Sequence, residues 1–349
     1  MRLCIHRGAR QIGGTCVEVE SGGQRIVLDV GLPLDAEPDA TLLPPVPGFD
    51  RPDPSLLGVL LSHGHLDHYG LARRLPRGTR FLVSRAAREI LAAAEVFSPA
   101  GITLESAVDL QDRRPVTLGP FTITPYLVDH SAYGAHAVLV EAGGRRLFYT
   151  GDIRAHGRKA ALFERLVREP PRGVHALLME GTTIGRPGTE IGFPTETELE
   201  HRMAGLFRQT PGMPLLWCSG QNIDRLVTVF RACKRAGRQL IVDMYTAHIL
   251  RATGNPRVPQ AHWDRVRVFL PGAQRRRIKR RRAFDVSRLY REHRVYPEEL
   301  AGAALGSVML FRPSMATDVE QARCLQGARL LYSMWGGYLE QPEMQPFLA

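Results

Sequence analysis

The sequence predicts an α/β fold built in two regions of different construction. Over the first half, short apolar runs alternate with glycine turns, which is the pattern of a sheet-rich domain. Beyond about residue 190, an apolar run at 215–218 is followed by helical apolar spacing from 223 to 233 and by a second apolar run at 239–242. That order of strand, helix and strand implies a parallel sheet with helical cover.

The strands of the first region are predicted from apolar runs that are bounded by turn residues. They lie at 25–29, 59–62, 121–128, 135–141, 145–149 and 176–179. Gly143 and Gly144 are expected to join two of them as a hairpin. In the second region, Gly237 stands where the C-terminal cap of the predicted helix belongs.

Length and composition limit the class of protein. A chain of 349 residues suggests two domains on the usual prior of about 150 residues each. With 44% hydrophobic and 23% charged residues, wholesale disorder is excluded. No apolar run approaches the roughly 18 residues of a membrane span, and the N-terminal segment is too polar for a signal peptide. We therefore expect a cytoplasmic protein without a membrane partner.

Positive charge is concentrated in one segment. Residues 201–300 hold 21 Lys and Arg against 7 Asp and Glu, although the whole chain has a net charge of only +11. Such a segment is expected to meet a polyanion, and a solvated basic face is the alternative. Within it, residues 275–282 carry seven positive charges, among them Arg275, Arg276 and Arg277, which could follow a nucleic-acid backbone.

The most informative stretch is a string of three histidines and an aspartate directly after the predicted strand at 59–62. The string H-x-H-x-D-H comprises His63, His65, Asp67 and His68. From the His and Asp content of the chain, the number of such strings expected by chance is about 10⁻³ per chain. Imidazole and carboxylate groups are ligands that zinc accepts. In a tight turn, the first two histidines could hold one ion while the aspartate and the third histidine face a second.

Three more polar residues follow other predicted strands. His130 comes after the strand at 121–128, and Asp152 comes after the strand at 145–149, where its carboxylate could bridge two ions. Asp29 ends the first predicted strand and could orient a ligand histidine. Because they stand at the ends of successive strands, these residues are expected to meet at one edge of a sheet.

These motifs resemble those of the metallo-β-lactamase superfamily, whose first four motifs they match in order. The resemblance implies an αββα sandwich, interrupted by an inserted parallel α/β domain of the β-CASP type. On this basis residues 1–189 are the first part of the sandwich domain and residues 190–305 are the insertion. Residues 306–349 are expected to return to the first domain, which would then be truncated.

Two features are similar, more narrowly, to the β-CASP branch, which comprises RNA- and DNA-processing nucleases such as the ribonuclease J-like group. Glu180 occupies the place of the acidic residue that opens the β-CASP region. Residues 219–222 with the helix after them, and residues 328–339, also resemble that group. The resemblance implies a nuclease that acts on single-stranded RNA, and homodimers are common in the group.

The chemistry that the resemblance implies is phosphodiester hydrolysis by two zinc ions and a bridging hydroxide, with manganese as an alternative metal. His63, His65 and His130 would hold the first ion, Asp67 and His68 the second, and Asp152 would lie between them. Asp67 would also orient the attacking water or accept its proton. Glu180 would hydrogen-bond a ligand histidine or position substrate, or else be a buried carboxylate with a backbone partner.

Substrate contacts are expected from the second region. Ser219, Gln221 and Asn222 form a turn at a helix N-terminus, where backbone N–H groups can bind a phosphate. The alternative is that Asn222 or Ser219 only caps that helix. Ser314 is a weaker candidate of the same kind.

One departure from the family pattern keeps alternatives open. The branch carries later motifs with metal-binding and phosphate-contacting histidines, but no histidine follows His293 here. The chain is therefore a fragment, or a partner or water replaces the missing ligand, or catalysis is weakened. Two other functions stay open: a thioester or lactone hydrolase of the same superfamily, and an RNA-binding regulator derived from an enzyme. The sequence leaves exonuclease or endonuclease action, and RNA or DNA as substrate, undecided.

Overall fold

The computed structural model describes residues 1–34, 43–185, 192–340 and 342–344. The chain forms two compact units. Unit 1 comprises Met1–Glu95 and Pro99–Phe193, and unit 2 comprises Val96–Ser98 and Pro194–Ala349. The predicted boundary between residues 189 and 190 falls within residues 186–191, which lie outside the described residues.

Unit 1 contains two β-sheets. The first sheet consists of β1 (Arg2–Arg7), β2 (Cys16–Ser21), β3 (Gln24–Leu28), β4 (Leu56–Leu60), β5 (Phe81–Ser84) and β6 (Ala107–Leu110), in that order. The second sheet consists of β7 (Val116–Leu118), β8 (Phe121–Leu127), β9 (His136–Ala142), β10 (Arg145–Tyr149) and β11 (Ala176–Leu178). Strands β3 to β6 are parallel neighbours, whereas β7 to β10 form an antiparallel meander.

Three helices cover the outer faces of these sheets: α1 (Leu66–Tyr69), α2 (Arg85–Glu95) and α3 (Ala160–Arg168). In β3, Ile26 packs against the second sheet, while its neighbour Val27 faces the opposite side in a cluster that includes Leu91 of α2. In β9, Leu139 faces outward and packs with Leu166 of α3. Each such side chain stabilises the fold by about 1.5–3 kcal/mol. The predicted αββα sandwich is therefore confirmed.

The predicted hairpin in the second sheet is also present. β9 and β10 pair antiparallel, and Gly143 and Gly144 between them have φ values of 54° and 69°. A two-residue turn with both φ values positive matches the twist of the flanking strands, and glycine adopts it without steric cost. All six strands predicted in this region occur, with ends shifted by at most three residues.

Unit 2 contains one parallel sheet in the order β15-β14-β13-β16-β12-β17. Its strands are β12 (Pro214–Trp217), β13 (Gln239–Asp243), β14 (Val266–Phe269), β15 (Arg294–Val295), β16 (Ser307–Leu310) and β17 (Arg329–Tyr332). Its helices are α4 (Glu196–Gln209), α5 (Ile223–Arg235), α6 (Met244–Ala252), α7 (Gly272–Arg281), α8 (Phe284–Arg288), α9 (Leu300–Ala303) and α10 (Ala316–Gln321). Helix α5 connects β12 to β13 and ends before Gly237, so the predicted strand–helix–strand unit is confirmed.

The predicted return of the chain to the first domain at residue 306 is wrong. Strand β16 pairs with β12 and β13 in the middle of the second unit's sheet, and β17 pairs with β12. A short apolar run can form a buried strand in any parallel sheet. Its composition therefore does not determine which sheet the strand joins. Apart from Val96–Ser98, the described residues of unit 2 therefore follow those of unit 1 along the chain.

The longest helix among the described residues, α4, has 14 residues. Across that part of the chain, no helix combines the length and the apolar character that a membrane span requires.

Candidate metal centre

The candidate centre in unit 1 is built at the carboxyl ends of strands, as the sequence predicted. Asp29 follows β3, and the histidine string follows the neighbouring parallel strand β4. His130 comes after β8, and Asp152 comes after β10. Asp29 has a φ of 60°, a left-handed conformation that aspartate tolerates better than most residues and that turns its carboxylate toward the string.

Backbone contacts hold helix α1 against the segment after β3. The N–H of Val30 donates to the carbonyl of His68 at 2.8 Å, and the N–H of Leu32 donates to Leu66 at 2.9 Å. A Cβ atom at Gly31 would lie 1.7 Å from the carbonyl oxygen of Asp67, so only glycine permits this approach. The two ligand candidates on α1 are thereby fixed relative to Asp29.

Four donors form a first set: His63, His65, His130 and Asp152. His65 Nδ1 lies 3.1 Å from His63 Nε2 and 3.1 Å from His130 Nε2. Two ligands that each lie ~2.0 Å from a tetrahedral zinc ion are about 3.3 Å apart, so these separations suit a shared cation. An Asp152 carboxylate oxygen, Oδ2, lies 3.8 Å from the same nitrogens of His63 and His130.

Three donors form a second set: Asp67, His68 and Asp152. His68 Nε2 lies 3.2 Å from Asp152 Oδ1 and 3.7 Å from Asp67 Oδ2. The two carboxylate oxygens of Asp152 thus face different sets, the geometry of a bridging ligand. The donor types in both sets suit zinc, and a carboxylate-rich second set also suits manganese.

Asp29 anchors the centre from behind. Its carboxylate accepts hydrogen bonds from the backbone and hydroxyl of Ser62, both at 2.7 Å, from His68 Nδ1 at 2.7 Å and from the hydroxyl of Tyr149. Because the Ser62 hydroxyl donates to Asp29, its oxygen accepts from His63 Nδ1 at 3.0 Å. Those bonds leave the Nε2 atoms of His63 and His68 facing the donor sets; the orienting role of Asp29 toward a bound metal ion stays a prediction.

Burial sets the protonation of the first set. Burial and the neighbouring imidazoles hold the pKa of His63 and that of His130 well below the usual value. Burial also lowers the pKa of His65, against the opposing effect of nearby carboxylates. These three rings are therefore neutral near pH 7, and neutral imidazole is the form that binds a metal ion.

In the second set, the charges of His68 and of the carboxylates stabilise one another. Burial would lower the pKa of His68, but Asp29 and Asp152 outweigh it and raise that pKa well above the usual value. Burial would raise the pKa of the Asp152 carboxyl, but the hydrogen bond from His68 and the surrounding imidazoles hold it at about 2. Asp152 is thus ionised at neutral pH and available as a ligand.

Glu180 lines the same cavity of about 540 Å³ as Asp67, His68 and Asp152. Its carboxylate accepts a hydrogen bond from the backbone N–H of Ile153, next to Asp152. Burial and the charge of Asp152 raise the pKa of Glu180. The structure therefore gives this residue the backbone partner that was the alternative interpretation, and its contact supports the loop that carries Asp152.

The predicted phosphate-binding turn of unit 2 has local partners. Asn222 is the N-cap of α5, where its side chain accepts from the N–H of Arg225 at 3.1 Å. The Ser219 hydroxyl accepts from the N–H of Gln221 at 3.3 Å, and Gln221 Nε2 donates to the hydroxyl of Tyr245 at 2.8 Å. These contacts correspond to the capping alternative.

Three of the four other predicted substrate-binding residues line one cavity. Arg276, Arg277 and Ser314 line a second cavity, of about 560 Å³, within unit 2, whereas Arg275 does not. We call this space the arginine cavity. Its remaining lining residues are Phe97, Ser98, Tyr245, Ala273, Gln274, Arg280 and Arg312.

Sequence reasoning missed several residues that complete these sites. Ser62 and Tyr149 both bind Asp29, and each stands beside a motif that the sequence does reveal, Ser62 before His63 and Tyr149 three residues before Asp152. Arg312 precedes the predicted Ser314 by two residues, but nothing in its local sequence marks it as part of a cavity. In each case only the structure shows these contacts, because they join residues that are far apart in the sequence.

Comparison with known proteins agrees with this geometry. A family described as Beta-lactamase superfamily domain matches residues 24–189. Ribonuclease J of Mycobacterium tuberculosis is 27% identical over 260 residues, which cover 69% of this chain and 44% of that protein. Ribonuclease J of Helicobacter pylori is 22% identical over 245 residues, which cover 67% of this chain and 35% of that protein. The chain thus spans less than half the length of these relatives.

A solved structure shares the fold. It is a protein of unknown function from Enterococcus faecalis V583, which superposes with a TM-score of 0.76 at 19% identity. The superposition covers 99% of this chain and 84% of that chain. At this level of identity the likeness concerns the fold alone.

Proposed function

From the match of residues 24–189 to the family described as Beta-lactamase superfamily domain, we propose that the chain is a metal-dependent nuclease that hydrolyses phosphodiester bonds of single-stranded RNA. The observation that carries the proposal is the pair of donor sets that share Asp152. One carboxylate oxygen faces the imidazoles of His63 and His130, and the other faces His68. Such sharing suits two neighbouring cations, the arrangement used for phosphodiester hydrolysis.

His63, His65, His130 and Asp152 would hold one ion, and Asp67, His68 and Asp152 would hold the other. When bound, the ions supply Lewis acidity to the phosphoryl oxygens and lower the pKa of water. Asp67 lines the open cavity, where its carboxylate can orient the attacking water and accept its proton. Glu180 fixes the backbone beside Asp152 and so acts as a positioning residue.

Two features favour RNA as the substrate class. The curated relatives that match most of this chain carry the name Ribonuclease J. The basic segment at 201–300 also lies within unit 2, and seven of its charges fall in residues 275–282. Neutralising backbone phosphates is the main source of affinity for a nucleic acid. Arg275, Arg276 and Arg277 would contribute to that binding.

Two further activities are competing hypotheses. A thioester or lactone hydrolase would use the same donor sets without any need for the basic segment. An RNA-binding regulator would keep the basic segment and lack turnover. Zinc as the native metal, a homodimer and a cytoplasmic location accompany the nuclease proposal as predictions.

The decisive experiment is a digestion time course with purified chain and added zinc or manganese. The substrates are single-stranded RNAs labelled at the 5′ or the 3′ end, with DNA of the same sequence in parallel. We expect cleavage of RNA that is lost in Asp152→Ala and kept in Asp50→Ala, a matched change at an aspartate of unit 1 outside the donor sets.

The products then separate the hypotheses. Single nucleotides released from one end indicate an exonuclease, and internal fragments indicate an endonuclease. Cleavage that survives in Asp152→Ala would refute the assignment of the centre. RNA binding without any cleavage would favour the regulator, and turnover of a thioester or lactone without action on RNA would favour the small-molecule hydrolase.

A further inference from the structure

The arginine cavity lies at the carboxyl ends of three neighbouring strands of unit 2. Apart from Phe97 and Ser98, its lining residues come from the segments that follow β14, β13 and β16, which are adjacent in the sheet. Helix α7 follows β14, Tyr245 stands at the start of α6 after β13, and Arg312 and Ser314 follow β16. The carboxyl edge of a parallel sheet is where ligands of open α/β domains bind.

The strand order also creates a crevice at this point. From β13 the chain passes to β14 on one side, whereas from β16 it passes over β12 to β17 on the other side. β13 and β16 are neighbours in the sheet. Because the chain leaves them in opposite directions, the segments that follow them diverge. Such a reversal of direction is the topological switch point, at which open α/β sheets place their ligand.

Helix α7 presents its charges to the cavity on one face. Ala273, Arg276, Arg277 and Arg280 line it at spacings of three and four residues, which bring side chains to the same side of a helix. Arg276 and Arg280 are like charges four residues apart, an arrangement that destabilises a helix unless an anion offsets it.

Among the described residues, the arginines of this face lack acidic partners. No carboxylate in that part of the chain forms an ion pair with Arg276, Arg277 or Arg280. Arg277 donates instead to the backbone carbonyl of Phe97 at 2.6 Å. Burial lowers the pKa of Arg277, and the neighbouring charges of Arg280 and Arg281 add to that effect.

Arg312 differs, because its charge is balanced. Its Nε donates to the buried carboxylate of Asp243 at 3.0 Å, and that carboxylate also accepts from Gln274 Nε2 at 2.6 Å. Its guanidinium also lies over the ring of Tyr245, 5.3 Å from the ring centre. The network fixes one wall of the cavity, while the arginines of α7 supply the net positive charge.

The space and the donor types define a ligand. The volume of about 560 Å³ falls within the ~300–1,000 Å³ of small-molecule sites. Arginine forks match the oxygens of a phosphate, and the hydroxyls of Ser98 and Ser314 add further donors. We propose that the arginine cavity binds a phosphate group, carried either by a free nucleotide or by a nucleic-acid backbone.

The proposal does not depend on the nuclease activity, because the cavity shares no residue with the metal centre. The test is calorimetric titration of the full chain with AMP, and with adenosine as the unphosphorylated control. EDTA is present throughout to suppress binding at the metal centre. A five-nucleotide RNA titrated separately probes the backbone as the source of the phosphate.

Two paired variants separate a shaped site from diffuse charge. Arg276→Gln with Arg280→Gln removes two charges that line the cavity. Arg323→Gln with Arg329→Gln removes two exposed charges of unit 2 that lie outside both the cavity and the basic segment at 201–300. We expect AMP but not adenosine to bind, with affinity at least about tenfold weaker in the cavity pair and within about twofold of the parent in the control pair.

Each outcome decides the proposal. Selective loss of AMP binding in the cavity pair supports a site for free nucleotides, and selective loss of only the RNA pentamer supports a site for the backbone. Equal effects of the two pairs on both ligands would overturn the proposal, since the arginines would then act only through the general field. Loss of AMP binding in Asp152→Ala with full binding in the cavity pair would overturn it as well.

Discussion

Asp29 Oδ2 lies 2.7 Å from His68 Nδ1, on the side of the ring away from Asp152, whose Oδ1 is 3.2 Å from Nε2. The imidazole of His68 is therefore held between two carboxylates, one buried and one facing the open cavity. The buried carboxylate fixes the ring, and the open one belongs with it to the second donor set. This division makes the contributions of the two aspartates separable by experiment.

Replacing Asp29 by asparagine removes the charge behind His68 and keeps the shape of the side chain. We expect the affinity for the second metal ion to fall about 10- to 100-fold, because a ligand histidine loses the group that orients it and raises its basicity. Competition with a chromophoric chelator measures this. Asp50→Asn, in the same unit but outside the donor sets, should bind metal as the parent does; an equal loss in both variants would contradict the role of Asp29.

The shared carboxylate predicts a difference in metal content between two variants. The parent chain, dialysed against buffered zinc, should hold two ions per chain by mass spectrometry of the metal. The variant His65→Ala should bind less metal at the first donor set and keep the ion at the second set, since His65 belongs to the first set only. Asp152→Ala should lose affinity at both sets. Identical metal content in the two variants would show that Asp152 does not bridge.

The basic run predicts the salt dependence of RNA binding. Changing Lys279, Arg281 and Arg282 to glutamine should reduce the slope of log K against log salt by about 2, because each single-strand phosphate that a side chain neutralises adds about 0.7 to that slope. Filter binding over a range of salt concentrations gives the slope. Arg77, Arg80 and Arg85, which are exposed in unit 1, provide a control with the same change in net charge. A slope unchanged in the first variant would remove the run from the RNA interface.

His248 predicts a pH dependence of the stability of unit 2. Its Nδ1 accepts a hydrogen bond from the Tyr290 hydroxyl at 3.0 Å, and burial, with a smaller effect of Arg251, lowers its pKa to about 4. The unfolded chain takes up a proton near pH 6.5, but the folded unit does so only near pH 4. Stability should therefore fall as the pH drops through that window, by up to about 3 kcal/mol.

The change His248→Gln should remove this part of the loss on acidification. Because Trp217, Trp263 and Trp335 all lie in unit 2, tryptophan fluorescence during urea unfolding follows that unit. His201→Gln, at an exposed position, should keep the pH dependence of the parent. A parallel slope for His248→Gln and the parent between pH 6.5 and pH 4 would rule out His248 as its source.

The grouping of the candidate ligands could be predicted from sequence because the pattern that marks them is local. The string from His63 to His68 is compact, and His130 and Asp152 each follow an apolar run. The hydrogen bond between Asp29 and Tyr149 is harder to predict from sequence. Tyr149 is 120 positions away along the chain, and only the packing of one sheet on the other brings its hydroxyl to that carboxylate.

Unit 2 shows where local patterns stop being informative. The expected return of the chain to the first domain at residue 306 is wrong, because the apolar strand β16 completes the sheet of unit 2. Likewise, Asn222 could have been a phosphate ligand or a cap, and its contact with Arg225 corresponds to the cap. In both cases the residue type permits two outcomes, and long-range pairing selects one of them.

The central place of β16 has a consequence for synthesis on the ribosome. β12 ends at residue 217 and β13 begins at residue 239, but the strand that lies between them in the sheet begins only at residue 307. Until that strand leaves the exit tunnel, the two earlier strands have no shared neighbour, and their inner edges stay open to aggregation. The described strands of unit 1, in contrast, all precede residue 194, so that domain can fold while its successor is still being translated.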